Sequence, residues 1–189
     1  SDNDGSITHN YWNSSKDGVL STSGNFTINV NALSLGNHTI TFQGRDNYTT
    51  WSPKVTTWLV VKAYPNATIV SQSSYSINFG DSVTFVGNGS DGDGFITHYE
   101  WISSSDGLLS NNATFTNNSL STGFHWITFK VKDNDTLWSR PVTIAFSVND
   151  VPVSVIDDIN PHVSYRNNFT NYNISFSGSS YDKDGQVTS

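Results

Sequence analysis

The sequence predicts an all-β chain built of tandem antiparallel β-sandwiches. Three observations carry that prediction. Apolar residues recur with period two in short runs such as "SVTFVG" (82–87), "HWITFKVK" (125–132) and "VTIAFSV" (142–148). Gly, Asn, Asp and Ser separate these runs, and no stretch keeps amphipathic helical spacing over three turns. A repeat near ninety residues spans the chain: placing residue 1 on residue 90 gives 13 identities in the first 20 positions. Self-similarity at a fixed period marks a repeated domain.

Taken in chain order, "SDNDGSITHNYW" (1–12) opens with an Asp-Gly head feeding a strand that carries Trp12. "LSLGNHTITFQGRDNYTTWS" (33–52) supplies the next long strand. It aligns with "LSTGFHWITFKVKDNDTLWS" (120–139), and Pro65 falls on Pro152. "SVTFVG" sets Val83, Phe85 and Gly87 on one face. "SDGDGFITHYEW" (90–101) repeats the opening head, and alternation places Tyr99 and Trp101 against His98 and Glu100. Trp101 then takes the place of the core tryptophan on the third strand of a sandwich. Ile127, Phe129 and Val131 oppose Thr128, Lys130 and Lys132, while Val142, Ile144, Phe146 and Val148 share one side of the last strand. The head returns in "NISFSGSSYDKDG" (173–185), which matches "SVTFVGNGSDGDG" (82–94).

These matches set the expected boundaries. One complete domain runs 64–150. Residues 1–63 carry the later strands of a preceding copy, and 151–189 carry the first strands of a following one. The expected core is Trp12, Trp101, Val83, Phe85, Ile127 and Phe129. Residues 151–189 are expected to pair with the 1–63 half of a neighbouring unit, because each half leaves a sheet edge and an apolar face uncovered. His9, His98, His38 and His125 are read as residues of an exposed sheet face.

Composition excludes several function classes. Charged residues make up 13% of the chain, about half the roughly 25% usual in soluble domains. Ser (29), Thr (20) and Asn (22) fill the gap. With nine Lys plus Arg and a net charge of −7, there is no basic face for nucleic acid or an anionic membrane. Without cysteine, disulfides and thiolate zinc sites are unavailable. No apolar run approaches the roughly 20 residues of a membrane span. The absence of methionine, even at position 1, leads us to expect a processed chain or a piece of a longer one.

Eleven Asn-x-Ser/Thr sequons start at Asn13, Asn25, Asn37, Asn47, Asn66, Asn88, Asn112, Asn117, Asn134, Asn168 and Asn173. They point to N-linked glycans on a surface protein, with sugars supplying the solvation that charges usually give.

The motif order is specific. Pro65, Ala67 and Ile69 are followed by Gly80, Val83, Phe85 and Gly87, then "SDGDGFITHYEW", then "LSTGFHWITFKVKDND" ending near Asp133 and Asp135. This order resembles the PKD domain family. The resemblance covers essentially the whole chain as one full and two partial copies, and it implies Ig-like β-sandwiches. Such domains serve as repeated modules of archaeal and bacterial surface proteins and as spacers in secreted enzymes. Where the family often has "DFGDG" after the tryptophan, this chain has "ISSSDG" and "NSSKDG". In that respect it is similar to the variety found in archaeal surface proteins.

Two readings of the Asp-x-Asp-Gly head stay open. Asp-Gly is a preferred tight-turn pair whose aspartates cap backbone amides. Two carboxylates on a glycine-rich turn also suit calcium, a hard cation that takes oxygen ligands, and some members of the resembled family bind calcium near this loop. The candidate ligands are Asp91 and Asp93, with Asp2 and Asp4 as counterparts. No catalytic residues are proposed: the aspartate pair has no His, Ser or Lys partner at a fixed place in each copy, and no cofactor is required. Asp133 and Asp135 read as a hairpin turn, since Tyr48 replaces Asp135 in the other copy. Trp51 and Trp138 are expected to cover a sheet edge or end. Trp58 and Trp126 are the exposed aromatics a carbohydrate-binding module would use, but they do not align in the repeat. The expected function is a structural repeat module of an extracellular, glycosylated surface protein, a filament, sheath or surface layer, with copies of itself as partners. An adhesin or carbohydrate-binding module, and a spacer of a secreted hydrolase, are the alternatives.

Overall fold

The computed structural model describes residues 5–160 and 173–183. Asp2, Asp4 and Asn168 therefore lie outside the described residues. The described chain is all-β, with fourteen strands, one short 3-10 turn at Val30–Ala32 and no α-helix. It divides into two compact units. One comprises the chain up to Pro65 together with Ser90–Phe95 and Asp133–Leu137. The other holds Asn66–Gly89, Ile96–Lys132 and the described residues from Trp138 onward.

The second unit holds a complete Ig-like sandwich. Its smaller sheet has the order β10 (Thr114–Asn117), β7 (Val83–Ser90), β5 (Asn66–Gln72). Its larger sheet runs β6 (Ser76–Asn78), β12 (Val142–Asn149), β11 (Gly123–Asp133), β8 (Ile96–Ser103), β9 (Gly107–Ser110). β10–β7, β11–β12 and β8–β9 pair antiparallel, whereas β6 adds in parallel to β12. Alternation dictates the core. Val83 and Phe85 from one sheet meet Trp101, Ile127, Phe129, Val131, Phe146 and Val148 from the other, and all are buried. Trp101 is 0% exposed, with its ring centroid 4.3 Å from Phe129 and 5.7 Å from Phe85.

Gly87 shows how tightly these layers close. A Cβ there would lie 2.5 Å from Phe129 Cζ and 2.8 Å from Trp101 Cζ2, so the two rings occupy the space any side chain would need.

The first unit repeats the larger sheet: β2 (Gly18–Ser21), β1 (Ile7–Ser14), β3 (Gly36–Asp46), β4 (Val55–Val61). The paired registers match copy for copy, down to the irregularity after the tryptophan, at Trp12/Asn13 and at Trp101/Ile102. Five of the six expected core residues are buried, but Trp12 is only half-buried. This corrects the expectation of equivalent burial. The Trp12 ring lies tilted at 35° against Phe42 within its own sheet, with centroids 4.5 Å apart, and among the described residues of its unit no strand corresponds to β5 or β7.

β13 (Val153–Asn160) and β14 (Ser175–Tyr181) pair antiparallel, with Ile159 opposite Phe176. These strands pair with each other and with no further strand among the described residues.

Candidate functional site

The Asp-x-Asp-Gly loop bends at residues 92–94, but its aspartates do not share one role. Asp93 Oδ1 accepts the Ala63 N–H at 2.9 Å. Its Oδ2 lies 3.9 Å from Lys62 Nζ, which donates to Asp135 Oδ2 at 2.5 Å. That bond, and the surrounding carboxylates, hold the Lys62 ammonium above the usual lysine range. Asp133 Oδ1 accepts the Leu137 N–H at 2.8 Å, as Asp46 Oδ1 accepts the Thr50 N–H at 2.8 Å in the other copy. Thr136 and Thr49 adopt positive φ of 71° and 72° in these turns.

Asp91 stands apart: both carboxylate oxygens are buried and neither has a hydrogen-bond partner. Gly94 lies beside it, where a Cβ would come within 2.7 Å of Asp91 Oδ2. A buried orphan carboxylate is a donor a hard cation takes. Asp91 thus fits one ligand position, whereas Asp93 is already engaged. Among the described residues, no group of three or more His, Cys, Asp or Glu side chains could hold a metal ion.

The histidines correct the sequence reading. His9 and His98 are exposed as expected, but His38 and His125 are buried. In the second unit Ser103 Oγ lies 2.8 Å from His125 Nδ1, and His125 Nε2 lies 2.8 Å from the Ser121 carbonyl. The carbonyl can only accept, so Nε2 carries a proton; in the neutral ring Nδ1 then accepts from the serine hydroxyl. The first unit reproduces this, with Ser14 Oγ to His38 Nδ1 at 2.8 Å and His38 Nε2 to the Ser34 carbonyl at 2.7 Å.

The adjoining aspartates complete each tie. Asp106 Oδ2 accepts the Ser121 N–H at 3.1 Å. Asp17 accepts from the Ser34 hydroxyl and N–H, and the hydroxyl bond holds its carboxyl below the usual range. Ser, His and Asp are therefore together, but not in the arrangement of a nucleophile. In a hydrolytic triad the serine and the aspartate take opposite ring nitrogens. Here both lie on the Nδ1 side, Asp106 at 3.6 Å, and Nε2 is tied to backbone. The motif pins the β8–β9 turn to the start of β11.

Of the ten sequon asparagines among the described residues, Asn25, Asn37, Asn47, Asn66, Asn88, Asn112, Asn134 and Asn173 are exposed; Asn13 and Asn117 are half-buried. Trp58 and Trp126 are exposed too. Strand register adds what sequence alignment missed. Thr39 pairs with Trp58, and Trp126 pairs with Ala145, at the same cross-strand position of each copy. The same patch of each sheet thus carries one tryptophan, from opposite strands. Trp51 and Trp138 make isolated bridges to Arg45 and Lys132 and lie under cations, Arg45 over Trp51 at 5.4 Å and Lys130 over Trp138 at 4.5 Å.

No family model matches this chain, and no curated protein matches it. Among solved structures, the fibronectin(III)-like modules of Clostridium thermocellum CbhA align over 79% of this chain and 82% of theirs, at 13% identity and TM-score 0.43. Three N-terminal domains of the bacteriophage RB49 highly immunogenic outer capsid protein (Hoc) align over 98% of this chain and 62% of theirs, at 13% identity and TM-score 0.36. Likenesses this distant carry no functional argument, and the fold class rests on the strands themselves.

Proposed function

We propose that the chain is a run of PKD-type domains serving as a structural repeat module of an extracellular, N-glycosylated surface protein. Its work is mechanical: stiff spacing and end-to-end or lateral assembly in a filament, sheath or surface layer. The observation that carries this reading is the copying of one sheet, with its histidine tie and irregular register, together with sequons that face solvent in both copies. Nothing that recurs is arranged for chemistry; what recurs is architecture. Intact-mass measurement on native material should show hexose-bearing asparagines at several sequons, and the chain should bind none of a panel of glycans. A mass equal to the bare chain would overturn glycosylation. Saturable glycan binding lost on Trp58→Ala or Trp126→Ala would favour the adhesin instead.

Calcium enters this proposal on the orphaned Asp91 carboxylate alone. Bound there, the ion would neutralise a buried charge and stiffen the loop. Thermal melts should then shift upward with calcium and downward with a chelator, and the shift should vanish in Asp91→Asn. Superimposable melts would remove calcium from the reading and leave Lys62 as the cation of this loop cluster.

A further inference from the structure

We infer that Asn37 carries a glycan whose first sugar lies on the exposed indole of Trp58, so that this tryptophan is a platform for the chain's own carbohydrate. The inference rests on the N-glycosylated reading above and names, among the sequons, one modification site and the ring that receives the sugar. Strand register brings the two together. On β3, His38 and Ile40 are buried, so alternation turns Asn37 and Thr39 outward. β3 pairs with β4 so that Thr39 stands opposite Trp58 and Asn37 opposite Val60. Both ends of the Asn37-His38-Thr39 sequon thus share a face with Trp58. Thr39 is directly across from it, and Asn37 is on the diagonal, roughly 7–8 Å away. A pyranose on Asn37 Nδ2 spans that gap, and its C–H face suits the apolar, electron-rich face of an indole. Attachment joins Nδ2 to the anomeric carbon of a lipid-linked glycosyl phosphate. The carbon–oxygen bond to the phosphate breaks, the lipid phosphate leaves, and the amide gives up a proton to solvent.

The second copy supports the pairing. In the repeat, Asn37 corresponds to Phe124 and Thr39 to Trp126. There the Phe124 ring stands edge-on to Trp126, with centroids 5.0 Å apart and planes at 86°. Trp126 is 52% exposed, whereas Trp58, with an asparagine in place of that phenyl ring, is 79% exposed. Each copy therefore turns one tryptophan outward at this patch, and the same repeat position supplies its cover: a phenyl ring in one, a sugar in the other. Asn37 can also be modified at no cost to the fold. The carboxamides of Asn13, Asn47, Asn117 and Asn134 are committed to the Ser14 carbonyl and to the N–H groups of Ser6, Ser119 and Phe95. The Asn37 carboxamide makes no hydrogen bond among the described residues.

Oxidation of the indoles reads the contact. In native glycosylated material, glycopeptide mapping should find sugar on Asn37. A mild indole oxidant such as N-bromosuccinimide should then modify Trp58 severalfold more slowly than Trp126. Variants made in the cell that glycosylates the native chain complete the test. Thr39→Ala, which ends the sequon but keeps Asn37, should reverse that order, as the exposures of the bare rings require. Asn37→Gln, which leaves Thr39 opposite Trp58, should reverse it too, whereas Thr39→Ser keeps the sequon and should keep the protection. Sugar at Asn37 with Trp58 oxidised as fast as in the Thr39→Ala chain would overturn the inference. An Asn37 left bare while other sequons carry sugar would also overturn it, and would leave the glycosylated reading standing. A chain bare at every sequon would overturn both.

Discussion

Trp101→Ala should destabilise the second unit by about 3–5 kcal/mol, the range for removing a large aromatic from a packed core. The ring is fully buried and contacts Phe85, Phe115 and Phe129 at centroid distances of 5.7, 5.6 and 4.3 Å. Its Nε1–H donates to the Asn112 carbonyl at 3.1 Å. Truncation therefore opens a void at the meeting point of both sheets and leaves one carbonyl without its donor. The copy in the first unit should respond differently. Trp12 keeps the same kind of bond, to the Gly24 carbonyl at 3.3 Å, but its ring is half-buried and contacts only Phe26 and Phe42 among aromatics. Less apolar surface leaves water there, so Trp12→Ala should cost at most about half as much. Urea melts of both variants, followed by circular dichroism in dilute solution, make the comparison. Equal losses would mean that the two tryptophans share one environment, contrary to their different burial.

That difference marks the limit of what the sequence could tell. Period-two alternation was enough to place Val83, Phe85, Ile127 and Phe129 inside, because the residues that bury them lie in the same repeat. Alternation gives Trp12 the same face as Trp101, yet burial needs an opposing sheet, and whether one is present is not a local property of the strand. His125 was misread although it shares parity with Ile127 and Phe129; its polarity outweighed its position. The signal that would have found it was recurrence. Ser14, Asp17 and His38 match Ser103, Asp106 and His125 in both copies, and a polar set kept across a repeat at 22–24 residues' separation needs a partner inside. The shared cross-strand place of Trp58 and Trp126 was invisible because it depends on register rather than sequence position. Lys62 was missed for a similar reason: the aspartates it meets are 31 and 73 positions away by sequence number.

The buried tie yields the second large effect. His125→Leu preserves most of the volume but removes an acceptor from the Ser103 hydroxyl and a donor from the Ser121 carbonyl. Ser103 Oγ also accepts the N–H groups of Ser105 and Asp106, both at 3.1 Å, so its hydrogen-bonding capacity is filled and it cannot turn to another partner. Each group left unsatisfied costs about 1–3 kcal/mol, which for the two makes a loss of about 2–6 kcal/mol the expected result for His125→Leu. Ser103→Ala should cost somewhat less, since the turn amides it abandons are only partly buried and can reach water. The double variant discriminates between a structural tie and two independent polar residues. Once the histidine is gone, the serine hydroxyl has lost its acceptor, so removing it as well should cost less than it does in the native chain. The coupling expected between contacting groups is about 0.5–3 kcal/mol. Strictly additive losses would mean that the 2.8 Å contact contributes nothing to holding the β8–β9 turn against β11. Labelling of Ser103 by a serine-directed phosphonate, abolished in His125→Leu, would go further and make the tie a nucleophile, which its Nδ1 geometry argues against.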